Sequence, residues 1–340
     1  MVGRLITICL YLVFLSMQAV PATRWAIVVG VADYQSENIQ DLRYTARDAA
    51  TFQQVLVEEC GVDPDHVWLL LNSEATKQNI EQAFAELTRL AAPEDTVFIY
   101  FSGHGSFIND SDGDEADGDG LDEVFLPYDA EPGLENTYIV DDILGYWISR
   151  LRAGSVVLFL DFCYSGGQGR GVNIMDLPVR GASDSMARDV FTDPDAKPGR
   201  VVLSACKGGQ VAYESSDLRH GVFTYFLVQG TKYKLADLNY DREVSIDELA
   251  NYVITEVTNW ANQSGLIQIP VYENPSAKEI VVVPNIPTFF TDTPSSTSTQ
   301  TNFSAIQKME NLERTVQWLQ ITNTLALILA LAALFMVLFW

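Results

Sequence analysis

Basic residues are scarce in this sequence of 340 residues. Lys and Arg together number 21, against 45 Asp and Glu, which gives a formal net charge of −24 at pH 7. Such an acidic surface repels phosphate groups, so nucleic acids and anionic membrane surfaces are excluded as expected partners. The charge favours multivalent cations and basic substrates instead.

Cysteine and histidine are rarer still. The chain has four cysteines and three histidines. Cys9 lies in an apolar stretch near the N-terminus, which leaves Cys60, Cys163 and Cys206 for the folded part. Three cysteines are too few, and odd in number, for a disulfide framework, so at least one thiol is expected to be free.

Long apolar runs occur at both ends of the chain. Residues 5–20 follow Arg4 and precede a proline and Ala22. A basic start, an apolar core and a small residue after a proline are typical of a secretory signal, here residues 1–22. An uncleaved N-terminal anchor is the alternative, because the start carries a single basic side chain.

At the other end, residues 319–340 carry no charge and are long enough to cross a bilayer as a helix. Residues 285–318 contain a Ser/Thr/Pro-rich stalk, followed by apolar residues at helical intervals that predict a short amphipathic helix. The sequence therefore predicts a folded domain over residues 23–284, held by a single C-terminal transmembrane helix on the extracytoplasmic side of the membrane.

Strand-like and helix-like segments alternate within the predicted domain. This alternation predicts an α/β fold with a mostly parallel central sheet and helices on both faces. Strands are predicted near residues 25–31, 67–71, 96–101, 155–161, 200–204 and 279–283, and helices near residues 45–59, 76–90, 141–151, 222–229 and 246–260.

Two of the predicted strands end in residues that carry chemistry. One ends in the letters DFC, at Cys163, and the other continues into SGHG, which contains His104. Ligands bind beyond the carboxyl ends of parallel strands, so both side chains are expected at one edge of the sheet. A thiol needs a nearby base to become a nucleophile, and an imidazole can supply one. A buried, unreactive cysteine is the alternative for Cys163.

The same two turns can stabilise a reaction intermediate. Attack on a carbonyl creates an oxyanion, which needs backbone N–H donors, and Gly105 and Cys163 are placed to provide them. No third acid is evident in the sequence, so a dyad of Cys163 and His104 is predicted. His66 is expected on a turn or at the surface, and His220, just before a helix, is expected to have a capping or supporting role.

These motifs resemble those of the caspase-like cysteine peptidases (peptidase C14, clan CD), and their form is closest to metacaspases and their prokaryotic relatives. SGHG with His104 is followed 59 residues later by Cys163 in DFCYSG. The resemblance covers residues 24–283. It implies a caspase-like three-layer α/β/α sandwich and a cysteine-type endopeptidase.

The resemblance also implies a substrate preference. In metacaspases the acid two residues before the nucleophile, an acid of the first helix and the serine two residues before the histidine line a pocket for a basic side chain. The matching residues are Asp161, Asp48 and Ser102. Proteins or peptides with Arg or Lys at the cleavage site are therefore the expected substrates. A solvated helix position is the alternative for Asp48.

A long segment without periodicity follows the cysteine motif. In this family the equivalent connection is where self-cleavage occurs, which implies processing within residues 168–200. A plain flexible insertion is the other interpretation. The basic residues of the segment are Arg170, Arg180, Arg188 and Lys197.

An acidic segment at residues 109–123 indicates calcium. It holds eight carboxylates, which repel one another unless they are solvated or bound to hard cations. Resemblance to calcium-activated metacaspases implies that Asp119, Asp141 and Asp142 are ligands, although Arg170 stands where the family has a fourth aspartate.

A second acidic segment, residues 237–248, matches the spacing of an EF-hand calcium loop. Arg242 replaces the usual glycine at position 6, which strains a sharp turn, and a capped turn that binds nothing is the alternative. The predicted ligands at positions 1, 3, 5, 7, 9 and 12 are Asp237, Asn239, Asp241, Glu243, Ser245 and Glu248.

The sequence as a whole predicts a membrane-tethered cysteine endopeptidase that cleaves after Arg or Lys and is stimulated by Ca²⁺. The alternative from another class is a catalytically idle caspase-like domain that serves as a surface binding or scaffold module. The intact set of Cys163, His104, Asp161 and Asp48 favours the peptidase.

Overall fold

The structure, a computed structural model, describes residues 22–109, 121–162, 199–207, 210–274, 276–277 and 279–285. The predicted ligand Asp119, the nucleophile Cys163 and the predicted processing residues lie outside these ranges. Among the described helices, none is both long and apolar enough to span a membrane. The predicted signal and C-terminal helix lie outside the described residues, apart from Ala22, and stay predictions.

Strands and helices alternate along the described chain as the sequence predicts. The strands are β1 (Arg24–Gly30), β2 (Val67–Leu71), β3 (Thr96–Ser102), β4 (His104–Asn109), β5 (Leu121–Leu126), β6 (Ile139–Val140), β7 (Ser155–Asp161), β8 (Arg200–Ser204), β9 (Glu214–Ser215), β10 (His220–Gly221), β11 (Val244–Ser245), β12 (Val271–Glu273) and β13 (Val281–Val283). The α-helices are α1 (Thr45–Glu58), α2 (Lys77–Leu90), α3 (Asp141–Arg150), α4 (Val222–Lys232) and α5 (Ile246–Gln263).

The central sheet has the strand order β12-β8-β7-β3-β1-β2 in the described residues. Its neighbours are parallel, except that β12 runs antiparallel to β8. Every residue of β7 is buried, as expected for an interior strand of a sheet covered on both faces, and its apolar run suits that position. The predicted mostly parallel sheet is confirmed.

Helices cover both faces of this sheet. Buried side chains of α2 and α3 pack on one face, where Phe84 and Leu144 belong to the same apolar core as Ile27 of β1. Buried side chains of α1, α4 and α5 pack on the other face, where Phe52 and Phe223 are examples. The predicted three-layer sandwich is therefore confirmed.

Three short ladders depart from the predicted arrangement. The chain after Ser102 does not go directly into a loop, because β4 and β5 form an antiparallel pair that β6 extends. The edge strand β12 was not predicted, since three half-buried residues give no periodic signal. The predicted strand near residues 279–283 forms as β13, but it pairs with β11 instead of joining the central sheet.

Candidate active site

The predicted pocket residues lie where the central strands end. β3 and β7 pair in register, so Ser102 lies directly opposite Asp161 at the end of the ladder. Gly30 pairs with Ser102 from the other side, in β1. Ser102 and Asp161 are both fully buried. The carboxyl edge of the sheet therefore brings these residues together as predicted.

His104 lies one residue beyond this edge, after the turn at Gly103. Its backbone N–H donates to the hydroxyl of Tyr34 at 2.8 Å, and the two rings pack with their centroids 5.2 Å apart. A side chain at Gly103 would meet Phe125 at 3.0 Å and the Tyr34 hydroxyl at 3.1 Å. Glycine is needed here because Tyr34 approaches the main chain so closely.

A main-chain carbonyl fixes the tautomer of His104. Nε2 of the ring lies 2.8 Å from the carbonyl oxygen of Gln40. A carbonyl oxygen only accepts hydrogen bonds, so Nε2 carries the hydrogen, and Nδ1 is the basic nitrogen of the neutral ring. His104 is buried, with an exposed fraction of 1%. A neutral imidazole held in this way can accept a proton at Nδ1.

The role of Gln40 was not evident from the sequence. Gln40 belongs to the loop between β1 and α1, which folds back on itself. The N–H of Leu42 donates to the carbonyl of Ala32, and the N–H of Tyr34 donates to the Asp41 carboxylate. The predicted dyad thus gains a third group that orients the imidazole. Because every residue has a main-chain carbonyl, no side-chain pattern could have revealed this one.

Phe162 holds the cysteine motif against the histidine motif. A Cβ on Gly105 would lie 2.9 Å from Cδ2 of Phe162, whose ring also packs on Phe125 with centroids 5.2 Å apart. Phe162 is fully buried and directly precedes Cys163, which lies outside the described residues. The last described residue before position 163 therefore lies against the start of β4, the strand that begins at His104.

Gly105→Ala tests whether this contact positions the site. The added methyl group must displace the Phe162 ring, and with it the backbone that leads into Cys163. We expect peptide hydrolysis to fall by about tenfold to a hundredfold, because small displacements of reacting groups are costly. The rate is measured on a reporter peptide, with Gly133→Ala as control. A Cβ at Gly133 would meet no atom within 4 Å, and the φ of +84° makes the control at least as strained in its backbone. An unchanged rate for Gly105→Ala would show that the contact is irrelevant.

Asp48 is fully buried in the first turn of α1, which excludes a solvated helix position. Its Oδ1 accepts a hydrogen bond from Nδ1 of His220 at 2.5 Å, and its Oδ2 accepts one from the N–H of Gly221 at 2.8 Å. His220 therefore has the supporting role that the sequence favoured over catalysis. Its partner, 172 residues away in the chain, was not predicted.

A second carboxylate also connects the β9–β10 hairpin to the start of α1, but here the hairpin supplies the carboxylate. Glu214, on β9, accepts hydrogen bonds from the N–H groups of Arg43 and Tyr44 at the start of α1. The α1 N-terminus and the β9–β10 hairpin thus each supply a carboxylate that binds donors of the other. These bonds fix the hairpin, and with it the start of α4, against the helix that carries Asp48.

Asp161 accepts a hydrogen bond from the start of α4, the helix that follows the β9–β10 hairpin. Its Oδ2 accepts a hydrogen bond at 2.6 Å from the hydroxyl of Thr224, in the first turn of α4. The Thr224 hydroxyl is in turn 2.5 Å from the hydroxyl of Tyr100, on β3. The sequence did not reveal Thr224 or Tyr100, since a threonine in a helix and a tyrosine in a strand are ordinary.

The two carboxylates share one buried environment. Burial chiefly, and then the negative charges of Asp161 and Asp48, raise the pKa of Tyr100 well above its ordinary value. Both aspartates accept donors at the N-terminal end of α4, where the helix dipole favours negative charge. Hydrogen bonds donated to a carboxylate also favour its charged form. A site of this kind is suited to a cation, such as a guanidinium or ammonium group.

The described members of the first predicted calcium site have structural partners. Asp141 is buried, and its carboxylate accepts hydrogen bonds from the N–H groups of Glu123 and Asp142 at 3.0 Å. Asp142 is exposed. Within the described ranges, no group of three or more His, Cys, Asp or Glu side chains is arranged to hold a metal ion. Since Asp119 lies outside these ranges, the site stays a prediction.

The EF-hand-like loop, in contrast, lies wholly within the described residues. Arg242 has a φ of +74°, the left-handed conformation that glycine would adopt at lower cost, and its N–H donates to Oδ2 of Asp237. Ser245 and Glu248 form a capping box at the start of α5. The loop is therefore shaped by its own hydrogen bonds, and calcium binding by Asp237, Asn239, Asp241, Glu243, Ser245 and Glu248 stays a prediction.

Comparison with known proteins gives a family match and several similar proteins. The sequence profile of the caspase domain, a peptidase family, matches residues 23–281. The chain is 32% identical to Metacaspase-1 of Candida glabrata over 205 residues, which cover 57% of this chain and 48% of that protein. It is 25% identical to Metacaspase-1 of Kluyveromyces lactis over 263 residues, with 70% and 57% covered. The chain spans about half the length of these curated relatives.

A solved structure agrees with the architecture. Caspase-1 from Spodoptera frugiperda superposes with a TM-score of 0.52, at 14% sequence identity, and the match covers 77% of this chain and 92% of that one. At this identity the likeness shows the fold alone. The predicted resemblance to caspase-like proteins is confirmed, both by the family profile and by the fold.

Proposed function

The chain belongs to the caspase domain family, and from this premise we propose that it is a cysteine endopeptidase with Cys163 as nucleophile and His104 as general base. The observation that carries the proposal is the state of the His104 ring. The ring is buried, and its Nε2–H is committed to the carbonyl of Gln40. The next residue, Gly105, lies against Phe162, which directly precedes Cys163 in the sequence. Nδ1 is therefore the nitrogen that takes the thiol proton.

The proposed reaction has two stages. His104 Nδ1 removes the thiol proton of Cys163, and the thiolate attacks the scissile carbonyl carbon, while the N–H groups of Gly105 and Cys163 stabilise the oxyanion. The C–N bond then breaks as the imidazolium gives its proton to the leaving amine, and a thioester remains. Water next attacks the thioester and gives a proton to His104, which returns it to the departing sulfur.

We further propose that the substrate carries Arg or Lys on the amino side of the cleaved bond. Support comes from Asp48 and Asp161, which are fully buried and accept hydrogen bonds at the N-terminus of the same helix. The negative charges of both residues also raise the pKa of Tyr100. Two carboxylates in one buried site need a positive charge nearby, and a substrate side chain can supply it. An aspartate side chain would be repelled.

Three finer features of the proposal have their support in the sequence alone. They are stimulation by Ca²⁺, self-processing within residues 168–200, and tethering by residues 319–340 with the catalytic domain on the extracytoplasmic side. The processing segment holds basic residues, which matches the proposed specificity. Protease shaving of intact cells tests the placement, because an extracytoplasmic domain is removed without lysis.

A panel of reporter peptides tests the proposed activity. Full-length protein is expected to hydrolyse Arg and Lys reporters at least about a hundredfold faster than an Asp reporter, since like charges at a buried site cost several kcal/mol. Addition of Ca²⁺ is expected to raise the rate, and a chelator to reverse the effect. Hydrolysis of the Asp reporter alone contradicts the specificity. Hydrolysis of no reporter, with or without Ca²⁺, supports the idle binding module instead.

Two matched substitutions locate the calcium response. Asp141→Asn weakens the first predicted site, and Asp237→Asn weakens the EF-hand-like loop, at the loss of one charge each. The variant that loses Ca²⁺ stimulation while it keeps the Ca²⁺-free rate identifies the responsible site. Retention of the full response by both variants would contradict a calcium role for either segment.

A further inference from the structure

Asp161 receives a hydrogen bond whose direction can be worked out from the donors present. Thr224 has a single hydroxyl hydrogen, and Oδ2 of Asp161, 2.6 Å away, accepts it. The Thr224 oxygen must therefore act as acceptor toward the Tyr100 hydroxyl, 2.5 Å away. The result is an ordered chain in which Tyr100 donates to Thr224 and Thr224 donates to Asp161.

Tyr100, the first donor in this series of hydrogen bonds, keeps its hydroxyl hydrogen. Burial, and then the charges of Asp161 and Asp48, raise the pKa of Tyr100 well above its ordinary value, so the hydroxyl is protonated near neutral pH. All three side chains are fully buried. Water is thus kept away from a network whose geometry is set by protein groups, which strengthens each hydrogen bond in it.

Thr224 and Tyr100 lie on different elements, and this holds the carboxylate at a fixed angle. Asp161 and Tyr100 belong to neighbouring strands of one sheet, while Thr224 comes from the first turn of α4, which packs over that face. The bond from Thr224 therefore restricts rotation of the Asp161 carboxylate about its last torsion. A carboxylate that is held in place loses less freedom when it binds a guanidinium or ammonium group.

We propose that Thr224 is a positioning residue of the specificity pocket. Its hydroxyl, which accepts a hydrogen bond from Tyr100, donates to the Asp161 carboxylate and orients it toward the guanidinium or ammonium group of the substrate. The inference rests on the proposed cleavage after Arg or Lys. It deepens that proposal, because it assigns the selectivity to a hydroxyl outside the motifs that carry the cysteine and the histidine. Thr224 acts through Asp161 and has no part in the bond-breaking steps.

Thr224→Val tests the proposal, since valine keeps nearly the shape of threonine and replaces the hydroxyl with a methyl group. We expect KM for an Arg reporter to rise by about tenfold with kcat changed by less than about twofold, because binding of the cation is weakened and the chemical steps are not affected. The inhibition constant of benzamidine, a cationic ligand, is expected to rise in parallel. Thr224→Ser, which retains the hydroxyl, is expected to restore both values to within about twofold of the wild type.

The same helix offers a matched control. Thr231 is also fully buried, and its hydroxyl donates to the carbonyl of Leu227, away from the carboxylates. Thr231→Val removes a comparable hydrogen bond and is expected to leave KM and the benzamidine constant unchanged. A general loss of stability would affect both valine variants, whereas a positioning role affects Thr224→Val alone.

Two further measurements keep the test decisive. If Thr224→Val fails to fold, Tyr100→Phe removes the first donor instead, and KM is expected to rise by about threefold. The rate of Cys163 alkylation by iodoacetamide, which carries no cation, is expected to stay within about twofold of the wild type in every folded variant.

A wild-type enzyme that cleaves Arg reporters, together with a Thr224→Val or Tyr100→Phe variant of unchanged KM, overturns the role of Thr224. A wild-type enzyme that cleaves no Arg or Lys reporter overturns the proposed function instead.

Discussion

Replacing Cys163 with alanine is expected to lower kcat/KM for an Arg reporter by more than about a thousandfold, because no thioester can form without the sulfur. His104→Gln is expected to have an effect of similar size. Glutamine can still donate to the carbonyl of Gln40 through its amide, but it has no basic nitrogen to take the thiol proton. The two losses should not add in the double variant, since both residues serve one step.

The two cysteines that the structure describes, Cys60 and Cys206, provide the control for this experiment. Cys60 is fully buried, and burial raises the pKa of its thiol to about 12, so the reactive thiolate is absent near neutral pH. Cys206 is also buried, and its Sγ lies 3.5 Å from the carbonyl of Gln210 as a hydrogen-bond donor. Cys60→Ala and Cys206→Ala are expected to keep the wild-type rate in the folded fraction. Loss of activity in either of them, with Cys163→Ala active, would contradict the assignment of the nucleophile.

Asp161→Asn is expected to lower kcat/KM for Arg and Lys reporters by about a hundredfold or more. The substitution preserves the shape of the side chain, but it removes the charge that is proposed to bind the substrate's cation. In the variant, either the oxygen or the NH₂ group of the amide faces the Thr224 hydroxyl, which donates to Oδ2 in the wild type. Steady-state kinetics with matched Arg and norleucine reporters measure the change, because norleucine has no charge.

The uncharged reporter is the control for this second prediction. The Arg-to-norleucine ratio of kcat/KM should collapse in Asp161→Asn, while the rate of Cys163 alkylation by iodoacetamide stays near that of the wild type. Asp48→Asn should lower the same ratio by less, because both oxygens of Asp48 already accept hydrogen bonds from protein groups, His220 and Gly221. A ratio that survives in Asp161→Asn would show that the basic side chain binds elsewhere.

The sequence predicted the elements whose pattern is local. The apolar run that ends at Asp161 is typical of a strand buried on both faces, and β7 is one. Threonine is a residue type that caps helices, and the side chain of Thr76 accepts the N–H of Asn79 at the start of α2. The position of Asp161 at the end of β7, and that of His104 just beyond the end of β3, followed from such local signals together with the geometry of parallel sheets.

The parts that sequence could not supply depend on distant pairs and on main-chain groups. The partner of Asp48 is His220, 172 residues further along the chain, and no local rule connects a helix with a two-residue strand at that distance. The partner of His104 is the carbonyl of Gln40, a group that every residue possesses. Thr224 looked like an ordinary helix residue, because its significance lies in where α4 packs over the sheet.

The assignment of Cys163 as a nucleophile directed to basic substrates is tested most directly by covalent labelling of the full chain. The reagent is a peptidyl ketone that carries Arg next to its thiol-reactive group, and mass spectrometry maps the labelled residue. A single label on Cys163 is expected. Benzamidine should slow the labelling reaction, and His104→Gln should abolish it. Labelling of Cys60 or Cys206 in its place, or a Cys163 that reacts equally well with an Asp-bearing reagent, would contradict the assignment.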